Sequence, residues 1–135
     1  MDFSVDWVES AQRFSEYNKR PLVTLCYAQS LDGSITIQQG QALQISGRES
    51  SVMTHRIRAA HNAILIGIGT LLSDNPCLTV RFAEGSSPQP VILDSTLRTP
   101  QDCRLMQEHP LNPWLAATEA AAKKDRDILK AAGAE

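Results

Sequence analysis

Four stretches of this chain are apolar almost without a break, and each is short: LVTLCYA at 22–28, AILIG at 63–67, VILD at 91–94 and WLAAT at 114–118. Runs of this length, rich in Val, Ile and Leu and bounded by turn residues, read as strands covered on both faces. ITI and ALQIS (42–46) read as shorter strands around a Gln/Gly turn, and LTVRF (78–82) as a short strand or an extended segment. Between these runs the pattern changes to a helical period. Residues 4–17, SVDWVESAQRFSEY, carry a partial stripe of Val5, Val8 and Phe14, with Ser4 as N-cap and Pro21 closing the segment. Ser46 and Glu49 have the spacing of a capping box, which predicts a helix to about residue 61 with Met53, Ile57 and Ala60 on one face. TLLSD predicts one helical turn stopped at Asn75–Pro76, and a short helix is expected near 103–108. The last helix is expected over 119–132, with Gly133 as its C-cap. Alternating strands and helices predict an α/β fold with a substantially parallel sheet.

Bulk properties narrow the function classes. The chain has 135 residues, 42% of them hydrophobic and 21% charged, which fits one globular domain or part of one. A net charge of −2 gives no general argument for nucleic acid or an anionic membrane. There is no apolar run long enough to span a bilayer, and MDFSVDWVES lacks the basic and apolar regions of a signal peptide. Cys26, Cys77 and Cys103 are far apart and form no C-x-x-C pair, and His55, His61 and His109 lack ligand spacing. No metal site is expected, and a reducing, cytoplasmic compartment fits.

In open α/β sheets, ligands bind beyond the carboxyl ends of the strands. Three loops qualify: AQSLDG at 28–33, GIGTLLSD at 67–74 and DSTLRT at 94–99. Gly67 and Gly69 allow close backbone approach, and Thr70 with the turn after it offers a hydroxyl and N–H groups to a phosphate. The same glycines equally serve a tight strand-to-helix turn. Arg48, Arg56 and Arg58, taken alone, read as a solvated helix face.

Together, RPLVTLCYAQSLDGSI, ISGRES, HRIRAAHNAILIGIGTLLSDNPCLTVR and PVILDSTLRTP resemble the reductase domain of bacterial riboflavin biosynthesis, a member of the dihydrofolate reductase-like fold. The resemblance runs from Arg20 to Glu135, leaving 1–19 as an N-terminal helical arm. It implies a three-layer α/β/α architecture and a cytoplasmic homodimer. It also implies NADPH-dependent reduction of the ribosyl group of a phosphorylated aminopyrimidine to ribityl. By motif, Ala28, Gln44, Thr70, Asp74 and Ser95 match cofactor contacts, while Ala42, Arg58, Leu78 and Arg81 match substrate contacts. Asp32 matches a polar group near the reacting ribose, the candidate catalytic residue of the resemblance, and equally a turn-former before Gly33. Leu78 equally fits core packing, and Asp94 a structural role. Gln44 stands where the family usually has Trp. The sequence contains no H-x-E or P-C-x-x-C deaminase signature. LKAAGAE resembles the family's helix end before a further strand, which implies a domain cut short, with weak or no turnover on its own. Other readings are a pteridine or dihydrofolate reductase-like enzyme, or a non-catalytic nucleotide-binding or assembly module.

Overall fold

The computed structural model describes residues 5–35 and 45–135. The expected cap Ser4, the ITI strand beyond Ile35, the ALQIS strand before Ile45, and the site positions Ala42 and Gln44 lie outside the described residues. Helix α1 spans Val5–Asn18, close to its expected bounds. Ala11 and Phe14 are half-buried and the rest of its described surface is exposed. The pairs Glu9–Arg13 (3.4 Å) and Gln12–Glu16 (3.2 Å) lie one turn apart. The Arg20 guanidinium sits 5.5 Å from the centre of the Phe14 ring.

The strand expected at 22–28 does not form. The segment takes no regular secondary structure and has no ladder partner among the described residues, and Val23 (82%), Leu25 (81%) and Tyr27 (63%) stand in solvent. Strand propensity records fit to a pleated, half-buried surface; it makes a strand only where another backbone lies alongside. Here the contact is a side-chain one instead, Thr24 Oγ1 to His61 Nε2 at 2.8 Å.

Helix α2 spans Arg48–Ala59 and begins one residue later than the Ser46–Glu49 box requires. Gly47 takes the N-cap position, with no side-chain cap bond, which moves Glu49 one place out of the capping-box register. Met53, Ile57 and Ala60 are only half-buried; the buried residue of this helix is His55.

Strands β1 (Ala63–Gly67), β2 (Gln89–Leu93) and β3 (Trp114–Ala116) form a parallel sheet in that order, as the α/β expectation requires. Ile64 lies opposite Pro90, Ile66 opposite Ile92, and Ile92 opposite Leu115, so these residues share one face. Helix α3 (Ile68–Asp74) returns over β1, and α4 (Arg104–Glu108) follows β2. Ile68, Leu71, Leu78, Ile92, Cys103 and Leu105 form the core against that face. Each fully buried Leu or Ile there contributes about 1.5–3 kcal/mol relative to exposure. The opposite face carries Leu65 (60% exposed), Leu93 (47%) and Trp114 (49%). Residues 78–82 form no strand: Leu78 is left-handed at φ 59°, residues 79–81 take no regular secondary structure, and a bend starts at Phe82.

Helix α5 spans Lys123–Ala131, starting four residues later than expected. Its C-cap is Ala132, and Gly133 lies one residue beyond, at φ 101°. Gly133 N–H bonds Lys130 O (3.0 Å) and Ala134 N–H bonds Leu129 O (2.9 Å), a Schellman motif with Leu129 and Ala134 both buried. Glu135 then donates to Pro113 O (3.0 Å) and accepts from Leu115 N–H (2.8 Å), a parallel bridge across Trp114 on the outer edge of β3.

Pro90 sits in the central strand, where a missing N–H ordinarily costs a ladder bond. Asp94 N–H bonds Ala116 O at 3.1 Å, and stepping back along both strands sets Pro90 opposite the carbonyl of Asn112. That carbonyl accepts from Gln89 Nε2 instead, at 2.7 Å. The side chain of one residue therefore replaces the backbone donor that the next one lacks. Gln89→Leu is expected to lower stability by about 1 kcal/mol, one net hydrogen bond, read as a lower urea midpoint. An unchanged midpoint would show that Asn112 O is equally well served by water.

Candidate functional site

A cleft of about 380 Å³ opens between α2, the extended strap at 79–82 and the residues on either side of 36–44. Ala28, Ile35 and Ile45 supply apolar lining. Ser46, Ser51, Thr54, His55 and Arg58 come from α2 and its approach, and Arg81 and Phe82 from the strap. Residues 51, 54, 55 and 58 have the i, i+3, i+4, i+7 spacing of one helical stripe. The apolar positions 53, 57 and 60 mark another stripe of the helix, and their pattern does not reveal this polar one. The signal was present as hydroxyl, hydroxyl, imidazole and guanidinium on a single face.

Arg58 is half-buried, and its Nη1 donates to Thr79 O at 3.3 Å. Its buried Nε has no hydrogen-bond partner. Burial, and then the charge of Arg81, push its guanidinium below the ordinary arginine range. Arg81 stands with its guanidinium 5.6 Å from the centre of the Phe82 ring. Among the described residues, the ion pairs are Arg13–Glu9 (3.4 Å) and Arg104–Glu108 (2.8 Å), so neither cleft arginine has a carboxylate of its own. Glu108 is held below the usual carboxylate range first by Arg104, which takes up its carboxylate with Nε at 2.9 Å and Nη2 at 2.8 Å, and only last by the charge of Arg81. Two cations drawn together without a counter-ion form a site that an anion would neutralise. The hydroxyls have a different bias: Ser51 Oγ donates to Gly47 O (3.2 Å) and Thr54 Oγ1 to Ser50 O (2.9 Å), which leaves their lone pairs for donors such as sugar hydroxyls.

His55, 4% exposed, joins helix to strap. Its Nδ1 accepts the backbone N–H of Arg81 at 2.9 Å, and its ring meets Phe82 edge to face at 4.7 Å. Burial, then Arg58 and Arg81, lower its pKa from the usual 6.5. Gly85 brings the loop behind the strap onto α2. At φ 122° it lies so near that an added Cβ would come within 2.8 Å of the Ala59 Cβ.

The other expected site residues lie elsewhere. Thr70 and Asp74 are exposed on α3, after β1, and Ser95 is exposed just after β2. Thr70 and Ser95 flank the carboxyl ends of adjacent parallel strands, where ligands bind in such sheets, while Asp74 stands at the far end of α3. Leu78 is buried in the core at φ 59°, and its backbone turns the chain from α3 toward the strap. Asp32 is exposed in the 30–34 turn, accepting the Ser34 N–H at 3.1 Å and the Ser30 hydroxyl. Those bonds, Ser30 first, hold its carboxyl below the usual range, so it is ionised at neutral pH and acts as an acceptor. Asp94 is structural, as expected. It is 1% exposed, and its Oδ2 takes both the N–H and the hydroxyl of Thr99 at 2.8 Å, closing the 95–99 loop. Arg48 and Arg56 remain on the solvated face.

The depressed pKa of His55 fixes a pH dependence. The unfolded chain takes up this proton near 6.5 while the folded chain resists it, so stability is full above that pH and falls as pH drops below it. His109, also lowered mainly by burial, acts with the same sign, so comparison with a variant isolates His55. Between about pH 7.5 and about pH 5.5 the urea midpoint of the wild-type chain is expected to fall more than that of His55→Asn. Parallel curves would contradict a neutral, buried His55.

The model of the RibD C-terminal domain matches residues 21–133. The chain is 51% identical over 83 residues to the 2,5-diamino-6-ribosylamino-4(3H)-pyrimidinone 5′-phosphate reductase of Debaryomyces hansenii, covering 58% of this chain and 34% of that protein. It is 33% identical over 121 residues to the Aquifex aeolicus protein of the same name, covering 87% and 54%. Among solved structures, it is similar to a diaminohydroxyphosphoribosylaminopyrimidine deaminase/5-amino-6-(5-phosphoribosylamino)uracil reductase from Thermotoga maritima. The TM-score there is 0.71 at 30% identity, covering 90% of this chain and 38% of that one. The reductase Rib7 of Saccharomyces cerevisiae gives a TM-score of 0.57 at 27% identity, covering 88% and 54%. The chain thus spans between about a third and about half of these proteins, and over that span it belongs to the RibD C-terminal domain family.

Proposed function

We propose that this chain carries the phosphate-binding half of a riboflavin-pathway reductase site, and that the phosphate of a ribosylaminopyrimidine sits between Arg58 and Arg81. The observation that carries this reading is the pair of cleft arginines with no carboxylate partner among the described residues. Guanidinium groups bind phosphate oxygens through paired, charge-assisted bonds, which suits such a pair. The lone pairs of Ser51 and Thr54 then face sugar hydroxyls, which are donors. The two substrate forms named for the relatives are a diaminopyrimidinone and an aminouracil, and they share the ribosyl phosphate that this cleft suits.

The cofactor in this reading is NADPH. Thr70, Asp74 and Ser95 offer hydroxyl and carboxylate groups in solvent beyond the carboxyl ends of β1 and β2, a donor and acceptor set suited to a dinucleotide's ribose hydroxyls and amide. When bound, the nicotinamide supplies the hydride for ribose C1. Ala28, with its small side chain in the cleft lining, leaves room for the nicotinamide side, while the arginines fix the far end of the substrate. Ala42 is kept as a further substrate contact, Gln44 as a further cofactor contact, Asp32 as an ionised polar group near the ribose, and Leu78 as support for the substrate wall through its backbone. The exposed sheet face at Leu65, Leu93 and Trp114 supports a homodimer, and three free cysteines fit the cytoplasm.

The test is calorimetry with ribose 5-phosphate and with ribose. Arg81→Gln is expected to weaken binding of the phosphate ester about 10- to 100-fold, the worth of one charge-assisted contact, and to leave ribose unaffected. Equal affinity of wild type and variant for the phosphate ester would overturn the assignment.

A further inference from the structure

The strap at 79–82 carries Arg81 but belongs to no sheet; Val80 N–H donates to Ser87 Oγ at 3.1 Å on one side, and a pair of side chains on α2 holds the other. In extended backbone, the carbonyl of one residue and the N–H two residues on point the same way. Thr79 O and Arg81 N–H are such a pair. Arg58 Nη1 donates to the first at 3.3 Å, and His55 Nδ1 accepts from the second at 2.9 Å. One donor and one acceptor, three residues apart on a helix, thus take the place of the N–H and C=O that a neighbouring parallel strand would present.

We propose that His55 is a positioning residue of this cleft: as a neutral ring protonated at Nε2, it holds the Arg81 backbone and so aims the Arg81 guanidinium at the phosphate. This inference rests on the phosphate reading of the cleft and adds a residue to it. The tautomer follows from the bond, since a nitrogen that accepts an N–H carries no proton of its own. A charged ring would lose the bond and bring a third positive charge beside Arg58 on its own helix and Arg81 on the strap. The edge-to-face contact with Phe82 holds the ring plane. Paired guanidinium–phosphate bonds tolerate displacements of only about 0.5 Å, so a strap freed from His55 loses phosphate affinity even with Arg81 intact.

Two substitutions separate acceptor from bulk. In His55→Asn an amide oxygen stands near the place of Nδ1, while His55→Leu keeps volume and removes the acceptor. Amide exchange at Arg81 and the affinity for ribose 5-phosphate are measured for both, with ribose as control. Arg81 protection and ribose 5-phosphate affinity are expected to fall about 10-fold or more in the Leu variant and to return to within about 3-fold of wild type in the Asn variant. Ribose binding stays level throughout. Long-range proton–nitrogen spectra of the wild-type chain are expected to show the Nε2–H form, and this readout needs no variant to fold. A protonated Nδ1 would overturn the proposal, as would a Leu variant with wild-type Arg81 protection or an Asn variant that fails as the Leu variant does. Should the wild-type chain bind no ribose 5-phosphate, the phosphate reading fails separately, and the Arg81 amide still decides whether His55 holds the strap.

Discussion

The hydrogen bond from Arg81 N–H to His55 Nδ1 joins the two elements between which the cleft opens. Without it, α2 and the strap are neighbours in space with only the Arg58–Thr79 contact and the Phe82 ring to hold them in register. With it, the exposed Arg81 guanidinium is kept near the half-buried Arg58, an arrangement that repels itself and persists because the backbone around it is held. The left-handed turn at Leu78 and the contact of Gly85 against Ala59 serve the same end: they bring the chain into the strap and out of it along a single path.

The sheet does a different job. Its core side, from Ile64 and Ile66 through Ile92 to Leu71 and Leu105, sets the strand ends; Thr70 and Ser95 follow those ends within three residues, and Asp74 closes the helix after β1. The cleft and this polar edge are therefore built by separate means. One rests on side-chain bonds between a helix and a strap, and the other on strand register.

The three strands with unbroken apolar runs between 63 and 118 were legible because burial on a parallel sheet leaves a composition signal that needs no partner to read. The run at 22–28 has the same composition and makes no strand, since its pairing depends on a neighbour that its own residues do not specify. Gly47 displaced Ser46 as the cap of α2 because a box is defined by where the helix starts, and one residue changes every position in it. Of the site, Arg58 and Arg81 could be named from motif, and the structure brings both into one cleft with Ala28. His55 could not. Its importance lies in a bond to a backbone atom 26 residues away, and backbone atoms leave no mark in a sequence. Gln89 taking over for Pro90 is of the same kind: the two residues are adjacent, yet the carbonyl they share is on another strand.

The central claim is that Arg58 and Arg81 together hold a phosphate. The most direct measurement is the phosphorus resonance of ribose 5-phosphate titrated with the chain, beside the Arg58→Met/Arg81→Met double variant. The account predicts a saturable shift with the wild-type chain that disappears in a folded double variant and weakens as salt is raised from about 0.05 M to about 0.5 M. The same shift in the double variant would contradict it.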